Sequence, residues 1–80
     1  MRKIRTNLET AINFAKKIEK IEHILHIVLF GSVASGEDTQ HSDIDIAIIH
    51  NSNDKFRLMS EVNKNKHEKI QTTFVNINEL

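Results

Sequence analysis

A Gly-Ser pair, Gly31-Ser32, is followed after ten residues by Asp43-Ile44-Asp45. The apolar run Ile27 to Phe30 stops at the pair, a polar loop follows, and a second apolar run to Ile49 opens with the two carboxylates. On a strand, residues two apart point to one face, so Asp43 and Asp45 are expected to project together at the strand's start. Adjacent carboxylates repel unless a cation lies between them. Mg²⁺ usually takes one or two carboxylates plus water and substrate phosphates. The pattern therefore reads as a site for a metal and a nucleoside triphosphate.

Two other frames are excluded by residue type. Gly31 and Gly36 match the opening of a P-loop, but Glu37 and Asp38 stand where that loop needs Lys and Ser or Thr. Two carboxylates there would repel phosphate. A calcium-binding EF-hand needs acids at alternate positions, a central Gly and a terminal Glu, and Asp43-Ile-Asp45 lacks that frame. The five histidines, His23, His26, His41, His50 and His67, are scattered without zinc-site spacing and read as surface or core residues. Of these, only His41 is near the acidic pair in sequence.

The elements that must position the pair follow from periodicity. Thr6 to Glu22 carries Leu8, Ala11, Ile12, Ala15, Ile18 and Ile21 on one helical stripe. Thr6 and Glu9 have the spacing of a capping box. Ile24 to Phe30 is short and rich in branched residues, as a strand should be. Ser32 to Ser35 is expected to form one helical turn, and Gly36 to His41 a polar loop. Ile44 to Ile49 is a strand with apolar residues on both faces below the carboxylates, which predicts a central position. Asp54 to Asn65 is weakly helical, with Phe56, Met59 and Val62 as its packing side. Ile70 to Ile77 is a third strand. The expected fold is α/β (α+β): a small mixed β-sheet with helices packed on it, in the order α-β-β-α-β.

Composition bounds the partners. The chain has 80 residues and reads as a single domain, 1–80, with eleven basic and eleven acidic residues and no cysteine. A chain of this length buries only about 60% of its unfolded surface, so a partner chain or a homodimer is an expected source of stability. Neutral charge argues against a broad electrostatic grip on nucleic acid. Arg2, Lys3, Arg5, Lys16, Lys17 and Lys20 crowd the N-terminal quarter and read as a solvated helix face. No run approaches the roughly 20 apolar residues of a membrane span. No signal pattern opens the sequence, so the expected location is cytoplasmic.

Gly-Ser-x₁₀-Asp-x-Asp after an apolar strand resembles the minimal nucleotidyltransferases, a small branch of the DNA polymerase beta-like superfamily. The resemblance is specific over residues 27–50, including Ser42 before the first Asp, and looser over the whole chain. It implies the nucleotidyltransferase fold and transfer of a nucleotidyl group with loss of pyrophosphate. Asp43 and Asp45 would hold Mg²⁺, Gly31 would let the backbone approach the phosphates, and Ser32 would offer its hydroxyl and N–H to them. ATP is the expected nucleotide. Small members often pair with a separate helical HEPN-domain protein as the antitoxin of a toxin–antitoxin system, some by adenylylating the partner, and the resemblance implies that role.

The sequence departs from the family pattern twice. Members commonly read Gly-Ser-x-Ala-Arg-Gly, and here Ser35 replaces the basic residue. Active members usually add a third carboxylate from a later strand, whereas Ile70 to Ile77 offers Gln71 and Thr73, with Thr73 the expected alignment. Neither side chain can act as a carboxylate base. Glu68 and Glu79 flank the strand as substitutes. The alternative function is a non-catalytic module that masks a partner protein. An RNA-modifying enzyme is a third reading, marked by salt-dependent RNA binding.

Overall fold

The structure is a computed structural model that describes residues 6–80. Arg2, Lys3 and Arg5 lie outside the described residues. The expected capping box does not form, because Thr6 is already a helical residue of α1 and, among the described residues, no hydrogen bond joins its side chain to Glu9. Seven elements follow in order: α1 (Thr6–Ile18), β1 (Ile24–Phe30), α2 (Gly31–Ser35), β2 (Ile44–His50), α3 (Lys55–Asn63), β3 (Ile70–Asn76) and a 3₁₀ turn (Ile77–Glu79). The three strands form one mixed sheet in the order β1-β2-β3. β1 runs antiparallel to β2, and β3 runs parallel to it. A parallel pair needs a long crossover, and α3 supplies it.

β2 is central, as its apolar run predicts, but only one of its faces is fully covered. Ile44, Ile46 and Ile48 are buried, while Asp45, Ala47 and Ile49 are half-buried. The buried face packs under all three helices. Ala11, Phe14 and Ile18 of α1, Val33 of α2, and Leu58 and Val62 of α3 join the three isoleucines and Ile70 in one cluster. The opposite sheet face carries no helix among the described residues.

Two helical stripes differ from expectation. In α1 the buried positions are Asn7, Ala11, Phe14 and Ile18, and Ile12 is exposed. The helix is turned so that the Phe14 ring, with more apolar surface than Ile12 or Ala15, fills the core. α1 also ends at Ile18, short of Glu22. His23, at φ +78°, turns the chain into β1. In α3 the packing side is Leu58 and Val62, with Met59 half-buried and Phe56 83% exposed. Asp54 fixes that helix's start by accepting a hydrogen bond from the Arg57 amide at 3.1 Å. Leu58 and Val62 are four apart and share a face, which Phe56 cannot join.

At the end of β2 far from the carboxylates, His50 is buried. Its Nδ1 accepts from the Ser52 amide at 3.1 Å, and its ring meets Phe74 edge-on at 6.2 Å between centroids. His50 is thus a core histidine.

The covered face carries the stability. Ile46→Ala is expected to cost about 2–5 kcal/mol in urea unfolding. Phe56→Ser is expected to stay within about 0.5 kcal/mol of the parent.

Candidate active site

The motif residues converge at one end of the sheet. β1 delivers Phe30 to the position opposite Asp45. The next residue, Gly31, turns the chain at φ +76°, a left-handed conformation that costs a side-chain-bearing residue about 1–2 kcal/mol. A Cβ on Gly31 would overlap the Asp45 carboxylate. The Gly-Ser turn and the second acid are therefore in contact, although the loop between them is long. Ser32 is half-buried in the first turn of α2. Gly36, at φ +81°, closes α2, and no atom lies within 4 Å of where its Cβ would be.

Asp43 is exposed and precedes the first residue of β2, and Asp45 is half-buried within the strand. Strand alternation sends both to the open side of the sheet, away from Ile44 and Ile46. Among the described residues, neither carboxylate has a hydrogen-bond or ion-pair partner. Two carboxylates free at the open end of a strand are a donor set suited to a hard divalent cation. No group of three or more His, Cys, Asp or Glu suited to a metal occurs among the described residues.

Some of the loop's bonds come from its own side chains. Ser42 Oγ accepts from the Thr39 amide at 2.8 Å, and the Ser42 amide returns a bond to the Thr39 carbonyl at 3.1 Å. Ser42 thus shapes the approach to Asp43. Ser35, where the family commonly has arginine, lies within hydrogen-bonding distance of the Ser32 carbonyl and Glu37 Oε1, at 3.1 and 3.0 Å. His41 is exposed in the same loop, with its amide bonded to Thr39 Oγ1 at 3.2 Å.

The register places the third-acid positions. Gln71 is the direct neighbour of Asp45 across the parallel pair, and Thr73 is level with Ala47. Gln71, rather than Thr73, therefore stands closest to the acidic pair. Glu79 lies past the far end of β3, roughly 20 Å down the sheet at strand rise, and cannot serve. Glu68 is exposed just before β3, at the correct end.

The open face continues from the acids as an apolar strip. Phe30 and Val28 of β1 are 41% and 44% exposed, beside half-buried Ala47 and Ile49. Sequence reasoning missed Asn7 and Lys69, whose side chains bond to the loop before Asp43. Asn7 was hidden because its position interrupts the apolar stripe of α1. Lys69 lies outside every motif.

Comparison with known proteins gives the family and the fold. The family described as "Polymerase beta, Nucleotidyltransferase" matches residues 9–80. A crystal structure of a candidate nucleotidyltransferase from Sulfolobus solfataricus superposes with a TM-score of 0.63 at 23% identity. The match covers 99% of this chain and 81% of that one. That likeness speaks for the fold. No curated protein matches the sequence.

Gly31→Ala and Gly36→Ala separate the two roles of glycine. Both should lose about 1–2 kcal/mol to left-handed strain. Only Gly31→Ala adds the Asp45 overlap, so its thermal midpoint should fall clearly further.

Proposed function

Because the chain belongs to the polymerase beta nucleotidyltransferase family, we propose that it binds a magnesium–nucleoside triphosphate complex, ATP being the expected nucleotide. Gly31, Ser32, Asp43 and Asp45 form the site. The observation that carries this reading is the contact between Gly31 and Asp45 at the open end of β2, with both carboxylates unpartnered among the described residues. A bound Mg²⁺ would neutralise phosphate charge and polarise the α-phosphoryl oxygens. Asp43 and Asp45 would hold it. Gly31 has no side chain to keep phosphate oxygens from the backbone, and the Ser32 hydroxyl and N–H are donors suited to them.

The acceptor is proposed to be a hydroxyl on a protein partner. The apolar strip of Val28, Phe30, Ala47 and Ile49 suits a protein surface better than a polyanion. A helical HEPN-domain protein, with this chain as its antitoxin in the cytoplasm, is the partner that the family resemblance suggests. Transfer would form a bond from the acceptor oxygen to the α-phosphorus and release pyrophosphate, and the acceptor's proton must leave.

One observation favours a second reading. Gln71 stands beside Asp45, where a third carboxylate would take that proton, and an amide cannot do so. A site with two acids and an amide supports nucleotide binding without transfer, which would make the chain a module that masks its partner.

Two experiments test these readings. Mg²⁺ with ATP should raise the melting temperature, and Asp43→Asn should abolish the rise. If Asp43→Asn instead stabilises the chain and Mg²⁺ with ATP does nothing, the nucleotide site is refuted. Incubation with α-labelled ATP and the neighbouring gene's product separates transfer from masking. Label on the partner that disappears with Asp43→Asn/Asp45→Asn supports transfer. An unlabelled but intact complex supports masking, and Gln71→Asp is then the variant expected to gain label.

A further inference from the structure

One residue grips the segment that carries Asp43 at both ends. The Lys69 main-chain carbonyl accepts from the Ile44 amide at 2.9 Å, the residue immediately after Asp43. Its side-chain ammonium donates to the Gln40 carbonyl at 2.6 Å, three residues before Asp43. The same ammonium donates to Asn7 Oδ1 at 2.6 Å. Asn7 is 6% exposed. Its Nδ2 donates to Asp38 Oδ2 at 2.9 Å and to the Thr39 carbonyl at 2.8 Å.

The amide orientation follows from chemistry. An ammonium can only donate, so Oδ1 must face Lys69, and Nδ2 must face the two oxygens. Three segments therefore meet at one partly buried polar hub, centred on buried Asn7: the start of α1, the loop after α2, and the residue before β3. The contacts span 31, 32, 62 and 29 positions in sequence. Asp43 itself lies outside the strand ladder, and the ladder's first tie beside it is the bond from Ile44 to Lys69. The other hydrogen bonds of the stretch from Thr39 to Ser42, among the described residues, are short-range ones among Thr39, Gln40, His41 and Ser42.

We infer that Lys69 and Asn7 form a clamp that sets Asp43 relative to Asp45, which makes them positioning residues for the acidic pair. The clamp stands on the hydrogen bonds alone. Its consequence for ligand binding rests on the nucleotide-site reading above. Fully satisfied buried polar networks specify one arrangement, and partial loss leaves a buried donor or acceptor unpaired. Lys69→Met removes the ammonium while keeping the stem and the main-chain bond to Ile44. Lys69→Arg keeps a cationic donor.

Two measurements on the full chain decide the matter, with Leu58→Ala as a control that weakens the core through α3. The first is amide hydrogen exchange without metal. Lys69→Met and Asn7→Leu should speed exchange at Thr39, Ser42 and Ile44 by about tenfold or more, the loss of one strong hydrogen bond. The amides of Ile46 to His50 should change much less, and Lys69→Arg should restore protection. Leu58→Ala should speed exchange without singling out the loop. Unchanged loop exchange in both clamp variants would overturn the inference.

The second is Mn²⁺–ATP affinity, measured below each variant's melting transition. The clamp variants should bind about tenfold more weakly, Lys69→Arg close to the parent, and Leu58→Ala within about twofold of it. A loosened loop with unchanged affinity would overturn the positioning role. Failure of the parent chain to bind Mn²⁺–ATP would instead remove the nucleotide reading, and the exchange data would still decide the clamp.

Discussion

The close approach of Gly31 to Asp45 is the constraint on which this arrangement turns. It needs a glycine for two reasons: a left-handed φ and a space already taken by a carboxylate. It also locks a register. With Phe30 opposite Asp45, Ile44, Ile46 and Ile48 fall on the helix-covered face. A slip of one residue would bury Asp45 and expose the isoleucines, reversing the hydrophobic gain of the whole strand. The pattern that folds β2 is therefore the pattern that presents its acid, and changes to either are felt by both.

Among the described residues the sheet is covered on one side only, and Asp43 and Asp45 lie on the side left open. Helices α1, α2 and α3 bury a single apolar cluster against the isoleucines of β2. The other face begins with Asp43 and Asp45 and continues through Phe30, Val28, Ala47 and Ile49. A small domain has little apolar surface to spare, and leaving a sheet face uncovered sacrifices burial that would otherwise stabilise it. That sacrifice is consistent with a face that meets substrate or a partner. Of the side chains proposed to touch a ligand, Asp43 and Asp45 come from the start of β2 and Ser32 from the first turn of α2.

The question of catalysis narrows to one position. In the parallel pair, Gln71 sits beside Asp45, and the rest of β3 carries no acid at that level. An amide donates and accepts hydrogen bonds but cannot take a proton from an acceptor hydroxyl. On the proposed reading, binding and transfer would differ by a single functional group at this position. Structure narrowed this further than sequence did, because Gln71 and Thr73 point to one face and only the register says which is nearer.

Sequence by itself settled the elements that depend on local pattern. β1, the turn of α2, the start and central place of β2, and the start of β3 all follow from short runs of branched residues punctuated by glycine and polar loops. The Gly31-Ser32 and Asp43-Ile44-Asp45 pairs stood out as a candidate site by residue type and spacing alone. Tertiary structure decided what pattern leaves degenerate. Phe14 displaced Ile12 from the core, and Leu58 displaced Phe56, because a helix with several apolar residues is oriented by the cavity it fills. The nearness of Gly31 to Asp45, the choice of Gln71 over Thr73, and the hub at Asn7 and Lys69 depend on contacts between distant segments. Such contacts are set by how the sheet pairs and packs, and no local spacing encodes them.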